Sequence, residues 1–268
     1  MVNKLKLNNN EMLLKNKKVI ISAGARGIGW ATAKVLHKRG AKVFLCDIDE
    51  KRIQKINKDK KNNIRAFLCN ADNEKDIKKF FNEVKKFTNS IDCLINNVGV
   101  AGPTGVIEKL NTENWDQTLK TNVISHFLFT KNAIPMLKKN KGGSIINISS
   151  TAGVFGFPLR SPYAVSKAAT LSFTKTAAME LGKYKIRVNA ILPGVTRGSR
   201  MNRVIDAKAK YLGVSKKSIE KDFVSMASMN SWIEEEDIGK LCSFLMSDDS
   251  NKISGQSIAV DGNTLRAD

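Results

Sequence analysis

Short apolar, β-branched runs alternate along the chain with longer stretches in which apolar residues recur every three or four positions. The runs predict strands at Val19–Ala23, Lys42–Cys46, Ile64–Cys69, Cys93–Asn96, Ser144–Ser149, Arg187–Leu192 and Ser257–Val260. The amphipathic stretches predict helices at Ile28–Arg39, Glu50–Asn57, Asn73–Phe87, Thr112–Leu137, Pro162–Leu181 and Glu235–Met246. Strictly alternating strands and helices imply an α/β fold: a Rossmann-type, doubly wound parallel sheet of about seven strands in a single domain. The rhythm breaks over about 196–230, where basic residues precede helical pieces rich in Met and Ser. That segment is expected to lie over the sheet edge, where lids sit.

Length and composition narrow the picture. The 268 residues suffice for one sizeable core, and 42% hydrophobic with 26% charged residues is ordinary for a globular protein. No apolar run reaches the ~18 residues of a membrane span, and the polar, basic start lacks the apolar segment of a secretory signal. Residues 1–16 read as a loose N-terminal extension preceding a catalytic domain over 17–268. Cys46, Cys69, Cys93 and Cys242 form no C-x-x-C pair, and the two histidines, His37 and His126, are far apart, so no metal site is expected. Thiols in apolar strands suit a reducing, cytoplasmic setting. The net charge of +20 raises nucleic-acid binding. The lysines are spread along the whole chain, however, without an arginine-rich arm or an aromatic stacking motif, so nucleic acid is not expected as a partner.

Candidate chemistry begins at the end of the first strand. The stretch SAGARGIG, residues 22–29, has glycines at Gly24, Gly27 and Gly29 and opens a helix. Glycines there let the backbone approach a pyrophosphate at the positive end of the helix, although strand-to-helix turns often contain glycine without binding anything. Asp47 ends the second strand, 18 residues after Gly29. An acid at that place accepts hydrogen bonds from both adenosine ribose hydroxyls and repels a 2′-phosphate, favouring NAD over NADP. Asp47 or Asp49 could instead cap the next helix. Arg26 is a contrary sign, since a base in this loop can meet a 2′-phosphate.

Tyr163 and Lys167 stand four apart on a predicted helix and so share one face. An ammonium beside a phenol favours the phenolate, which can take a proton from an alcohol or return it to a ketone. In so lysine-rich a chain the pairing could be chance. Ser150 ends the preceding strand, 13 residues before Tyr163, where its hydroxyl could hold the substrate oxygen. Ser149 and Ser150 could equally be a polar strand end.

Together these motifs resemble the short-chain dehydrogenase/reductase family. The family's T-G-x-x-x-G-x-G is matched by Ser22–Gly29, with Ser for Thr and Ala23 for the first glycine. Its N-N-A-G is Asn96–Gly99 with Val98 for Ala, its catalytic asparagine aligns with Asn122, and its P-G with Pro193–Gly194. The C-terminal ISGQSIAVDGN resembles the last strand, so the likeness runs from about residue 17 to 264. The resemblance implies a catalytic set of Asn122, Ser150, Tyr163 and Lys167, with Asn122 holding a water in a proton relay. It implies that Ser22, Gly24, Arg26, Gly27, Ile28 and Gly29 line the pyrophosphate, Asp47 the adenosine ribose, and Asn70 and Ala71 the adenine. Asn96 and Gly99 would flank the cofactor ribose, with Lys167 on the nicotinamide ribose and Pro193, Gly194 and Thr196 beyond it. Gly198 stands where the family often has a threonine facing the carboxamide, leaving Ser199, Thr196 or backbone to serve. Homotetramers packed through the two long helices are the family's usual assembly.

Substrate is not named by these residues. Arg197, Arg200 and Arg203 cluster at the start of the 196–230 segment, and guanidinium groups suit carboxylates. They lead to the expectation of an NAD-dependent enzyme acting on a small polar or acidic polyhydroxy alcohol, unless the arginines merely face solvent. Two other readings compete: a 3-oxoacyl-[acyl-carrier-protein]-type reductase, and a non-catalytic dinucleotide-binding protein. His126 and Trp115 are expected to be packing groups.

Overall fold

The computed structural model of the chain describes residues 13–59 and 63–265. Seven strands form one parallel sheet in the order β3-β2-β1-β4-β5-β6-β7. They are β1 (Lys18–Ile21), β2 (Lys42–Asp47), β3 (Ile64–Leu68), β4 (Cys93–Asn96), β5 (Gly143–Ile148), β6 (Ile186–Pro193) and β7 (Ser257–Val260). Central strands such as β1, β4 and β5 are nearly all buried, as expected where helices cover both faces of a parallel sheet. The order reverses between β1 and β4, and the crevice at such a reversal, outside the carboxyl ends of the strands, is where ligands bind in this architecture.

Helices α1 (Gly27–Lys38) and α9 (Glu235–Met246) cover one face. Their Ala33, Leu36, Ile238, Cys242 and Leu245 pack on Val19, Ile21, Val43 and Ile95. Gly239 lets the two helices touch, because a Cβ there would lie 3.1 Å from the Thr32 Cα. Helices α3 (Glu74–Lys85), α5 (Ser125–Lys139) and α6 (Ser161–Leu181) cover the other face, with Phe80, Phe81 and Phe129 interlocked at centroid distances of 5.4–6.0 Å. The short α2 (Glu50–Lys58) starts where Asp49 accepts the Arg52 amide, and α3 where Asn73 accepts two amides.

Three expectations are corrected. The long helix expected over Thr112–Leu137 is divided: α4 (Thr112–Leu119) and α5 are joined by a wide π-type turn at Lys120–Ile124. There the Ser125 amide reaches back to the Lys120 carbonyl, and the Ser125 hydroxyl takes up the Thr121 carbonyl that this amide would otherwise serve. The first strand stops at Ile21 because Ala23 adopts φ +50°, which no strand tolerates. Most of the expected 1–16 extension lies outside the described residues, but residues 13–16 are docked. Leu14 is fully buried in the α1-side core, and its amide donates to the Arg39 carbonyl.

The 196–230 segment folds as α7 (Ser199–Leu212) and α8 (Lys216–Ser225) around a small apolar cluster of Ile205, Ala209, Ile219, Phe223 and Met226. It sits over the carboxyl ends of the strands. Among the described residues, no helix is long and apolar enough to cross a membrane.

Candidate active site

A cleft of about 450 Å³ opens at the topological reversal. One end is walled by Ala23, Arg26, Gly27, Ile28, Asp47, Asn70 and Ala71. The other holds Ser150, Tyr163 and Lys167, with Pro193, Gly194, Thr196 and the start of α7 above.

The loop before α1 fits a dinucleotide phosphate. Gly27 takes φ +55°, and the first turn of α1 carries no acidic residue, leaving its positive end uncompensated. Gly24 and Gly29 are packing glycines. A Cβ on Gly24 would come 2.7 Å from the Leu45 Cβ, and one on Gly29 would come 2.5 Å from the Ala23 carbonyl oxygen. Neither lines the cleft; both press the loop onto the sheet. Ser22 does not reach the cleft either. Its buried hydroxyl accepts the Asn97 and Val98 amides at 3.0 and 3.1 Å, tying the end of β1 to the loop after β4.

Asp47 receives the Ala25 amide at 3.0 Å and the Asp49 amide at 3.2 Å, so its carboxylate is aimed at the loop. Capping of α2 is done by Asp49, which also ion-pairs with Arg26. Asn70 and Ala71 form the wall where adenine is expected. Beside them Asp72, which the sequence reading passed over, accepts hydrogen bonds from Gln117 and Thr121 and so fastens this wall to the end of α4.

Asn96 is corrected. It is fully buried and turned from the cleft, donating to Asn147 at 2.8 Å and Thr130 at 3.0 Å. Its neighbour Asn97 lines the cleft instead and donates to the Ser22 and Ala23 carbonyls. Alternation along a strand sends the two side chains to opposite faces. Gly99 lines the cleft, where a Cβ would be 3.3 Å from Asn122 Oδ1 and 3.4 Å from Lys167 Nζ.

At the chemical end, Lys167 is 2% exposed and its Nζ donates to the Ile148 carbonyl at 2.9 Å, 5.7 Å from the centre of the Tyr163 ring. Burial, with the Arg200 charge adding to it, pulls the lysine down to about 7. Of the two serines, Ser149 is spent on the Lys167 carbonyl, while Ser150 accepts the Ala152 amide and faces the cleft. Asn122 sits in the π-type turn. Both its amide hydrogens are committed, to the Val100 carbonyl and the Ser166 hydroxyl, and its oxygen accepts the Val100 amide. Its side chain therefore braces the floor of the site. His126 donates Nε2–H to the Val98 carbonyl, and burial pushes it down to about 3, so it is a neutral packing group.

The arginines divide. Arg197 is held by Glu234 at 3.2 Å and lies over Trp232. Arg200 reaches the Gly99 carbonyl at 2.6 Å, and Arg203 lines the cleft. Two further charged lining residues escaped the sequence reading. Glu235 lies close to both Gly27 and Gly198 and is pushed up by burial. Arg160 lies three residues before Tyr163 and carries no motif; only its position just before the helix could have signalled it.

A family model described as enoyl-(acyl carrier protein) reductase matches residues 22–263. A Thermotoga maritima protein named 3-oxoacyl-[acyl-carrier-protein] reductase is 30% identical over 94% of this chain and 98% of its own. The human dehydrogenase/reductase SDR family member 4 is 31% identical over 94% of this chain and 88% of its own. The crystal structure of NAD+-bound xylitol dehydrogenase superimposes with a TM-score of 0.89 at 27% identity, over 93% of this chain and 99% of that one. With the seven-stranded sheet and the cleft at its topological reversal in place, these matches establish that the chain is an oxidoreductase belonging to the short-chain dehydrogenase/reductase family.

Proposed function

We propose that the protein is an NAD-dependent oxidoreductase that interconverts a secondary alcohol and a ketone on a small polar substrate, either polyhydroxy or acidic. One observation carries this reading: Ser150, Tyr163 and Lys167 meet in the same cleft whose far wall ends in the Asp47 carboxylate. Bound nicotinamide supplies the hydride acceptor or donor. The remaining work falls to this chain. The Tyr163 phenol exchanges the proton of the substrate hydroxyl, and the Ser150 hydroxyl hydrogen-bonds the same oxygen and sets its distance. Lys167, pinned by the Ile148 carbonyl, supplies charge beneath the phenol. Asn122 holds the Val100 backbone and Ser166, which fixes the approach of α6 to the floor.

NAD is favoured over NADP because Asp47 would oppose a 2′-phosphate and because Arg26, a base in the adjoining loop, is engaged by Asp49. Four unpaired, buried thiols accord with a cytoplasmic setting. A homotetramer belongs to the same proposal, since Phe127, Val165 and Met179, with Ile124 in the turn before α5, leave apolar surface exposed along α5 and α6. Sedimentation would settle it.

Calorimetry with NAD and NADP, followed by a screen of polyols, sugar acids and hydroxy acids for NADH formation, tests the reading. NAD should bind at least ~10-fold tighter. Tyr163→Phe should lower kcat by roughly 10²–10⁴ with NAD affinity held within about twofold. Normal turnover in the Phe variant, or a preference for NADPH with a 3-oxoacyl thioester, would overturn it.

A further inference from the structure

Arg160 is placed as few unpaired arginines are. It is 5% exposed, yet lines the cleft beside Tyr163, its guanidinium carbon 5.3 Å from the centre of that ring. One nitrogen donates to the Ala101 carbonyl, while its Nε–H is buried without a partner, and no described carboxylate forms an ion pair with it. It also precedes the first turn of α6, a 21-residue helix whose positive end is the wrong place for a cation. Buried charge in such a setting is costly unless a counter-charge arrives. Arg200 adds to the same field: it is close enough to oppose the charge on both Arg160 and Lys167. The acids lining the cleft are Asp47 and Asp72 at the adenine end and Glu235 by Gly27 and Gly198, where Arg200 feels it. Beside the phenol itself stand Arg160, Lys167 and Arg200, with no acid among them.

We infer that Arg160, together with Arg200, is the seat for a carboxylate carried by the substrate. This rests on the oxidoreductase reading for its orientation and goes further in naming the group recognised. Because the guanidinium adjoins the proton-exchanging ring, the carboxylate lies on the order of three bonds or fewer from the reacting carbon. The substrates are therefore short 2- or 3-hydroxy acids and the matching oxo acids, held by a planar fork that fits carboxylate oxygens in pairs. Their negative charge offsets the repulsion among Arg160, Arg200 and Lys167, so substrate and a protonated Lys167 favour each other.

The test uses the full chain loaded with NADH. Malonate, which cannot react, is titrated by calorimetry, and acetoacetate and 2-oxobutyrate are assayed beside their methyl esters. Malonate should bind, and kcat/KM for the oxo acids should exceed that of the esters by about 30-fold or more, the worth of one charged pair. Arg160→Gln should weaken malonate by roughly 30-fold while the NADH dissociation constant stays put, and Arg160→Lys should recover part of the loss. Arg200→Gln, at an exposed position that does not endanger folding, should weaken malonate by roughly 5-fold. Malonate binding that vanishes in Arg160→Gln supports the seat even if no oxo acid turns over, and that failure would count against the reaction alone. No malonate binding to the wild-type complex, equal efficiency on acid and ester, or unchanged malonate affinity in both variants would overturn the inference.

Discussion

Lys167 is a base whose buried position disfavours its charge. Burial and Arg200 bring it from 10.5 to about 7. The unfolded chain therefore holds more protons than the folded one between pH 7 and 10.5. The contribution of Lys167 to the stability of the cofactor-free protein should rise with pH through that window, the penalty being fully present below about 7. The shift corresponds to a penalty on the order of 5 kcal/mol at neutral pH. Lys167→Met removes the charge and keeps the apolar stem, but it forfeits the hydrogen bond to Ile148, which costs about 1–2 kcal/mol at every pH. The variant should therefore be the more stable protein at pH 7, by about 3 kcal/mol, and lose all of that advantage by pH 10. Urea unfolding of the NAD-free proteins at fixed protomer concentration and pH 7, 8.5 and 10 measures the difference. Staying at or above pH 7 avoids the ionisation of His126, which also feels Lys167. A variant less stable at pH 7, or a difference that does not change with pH, would refute the reasoning.

Three further outcomes are expected. Ser22→Ala leaves the partly buried Asn97 amide and the buried Val98 amide without their acceptor and should cost about 2–3 kcal/mol in urea unfolding. Ala23→Gly relieves a left-handed alanine at φ +50° and should stabilise by about 1 kcal/mol, read as a raised urea midpoint without a change of slope. Asp47→Ser removes the charge opposed to a 2′-phosphate and should reduce the preference for NAD over NADP by at least ~10-fold in calorimetry, with unchanged preference counting against its assignment.

The sheet was legible because buried parallel strands are written as uninterrupted β-branched runs, and VII, VFLC and SIINI have few other uses. The catalytic end was legible because Tyr163 and Lys167 carry their geometry in their spacing. Three things were not. The division of the helix at 120–124 leaves the apolar periodicity on either side intact, so one extra residue passes unseen. The roles of Ser22 and Asn96 depended on which face each side chain takes, and alternation says only that neighbours differ, as Asn96 and Asn97 do. Arg160 looked like any surface base, because nothing local reveals that Ala101 and Phe157 would close around it.

The wide turn at Lys120–Ile124 makes spacing matter in this stretch as much as chemical identity. Gln117 just before the turn and Thr121 within it hold Asp72 on one wall, while Asn122, the next residue in the turn, grips the floor beneath the phenol. Each residue of a helix contributes about 100° of rotation. Deleting one here would close the loop of extra chain and swing one of those grips to the far side. Exchanges that keep these hydrogen-bonding groups would leave both ends of the cleft aligned, whereas a single-codon deletion would uncouple them at once.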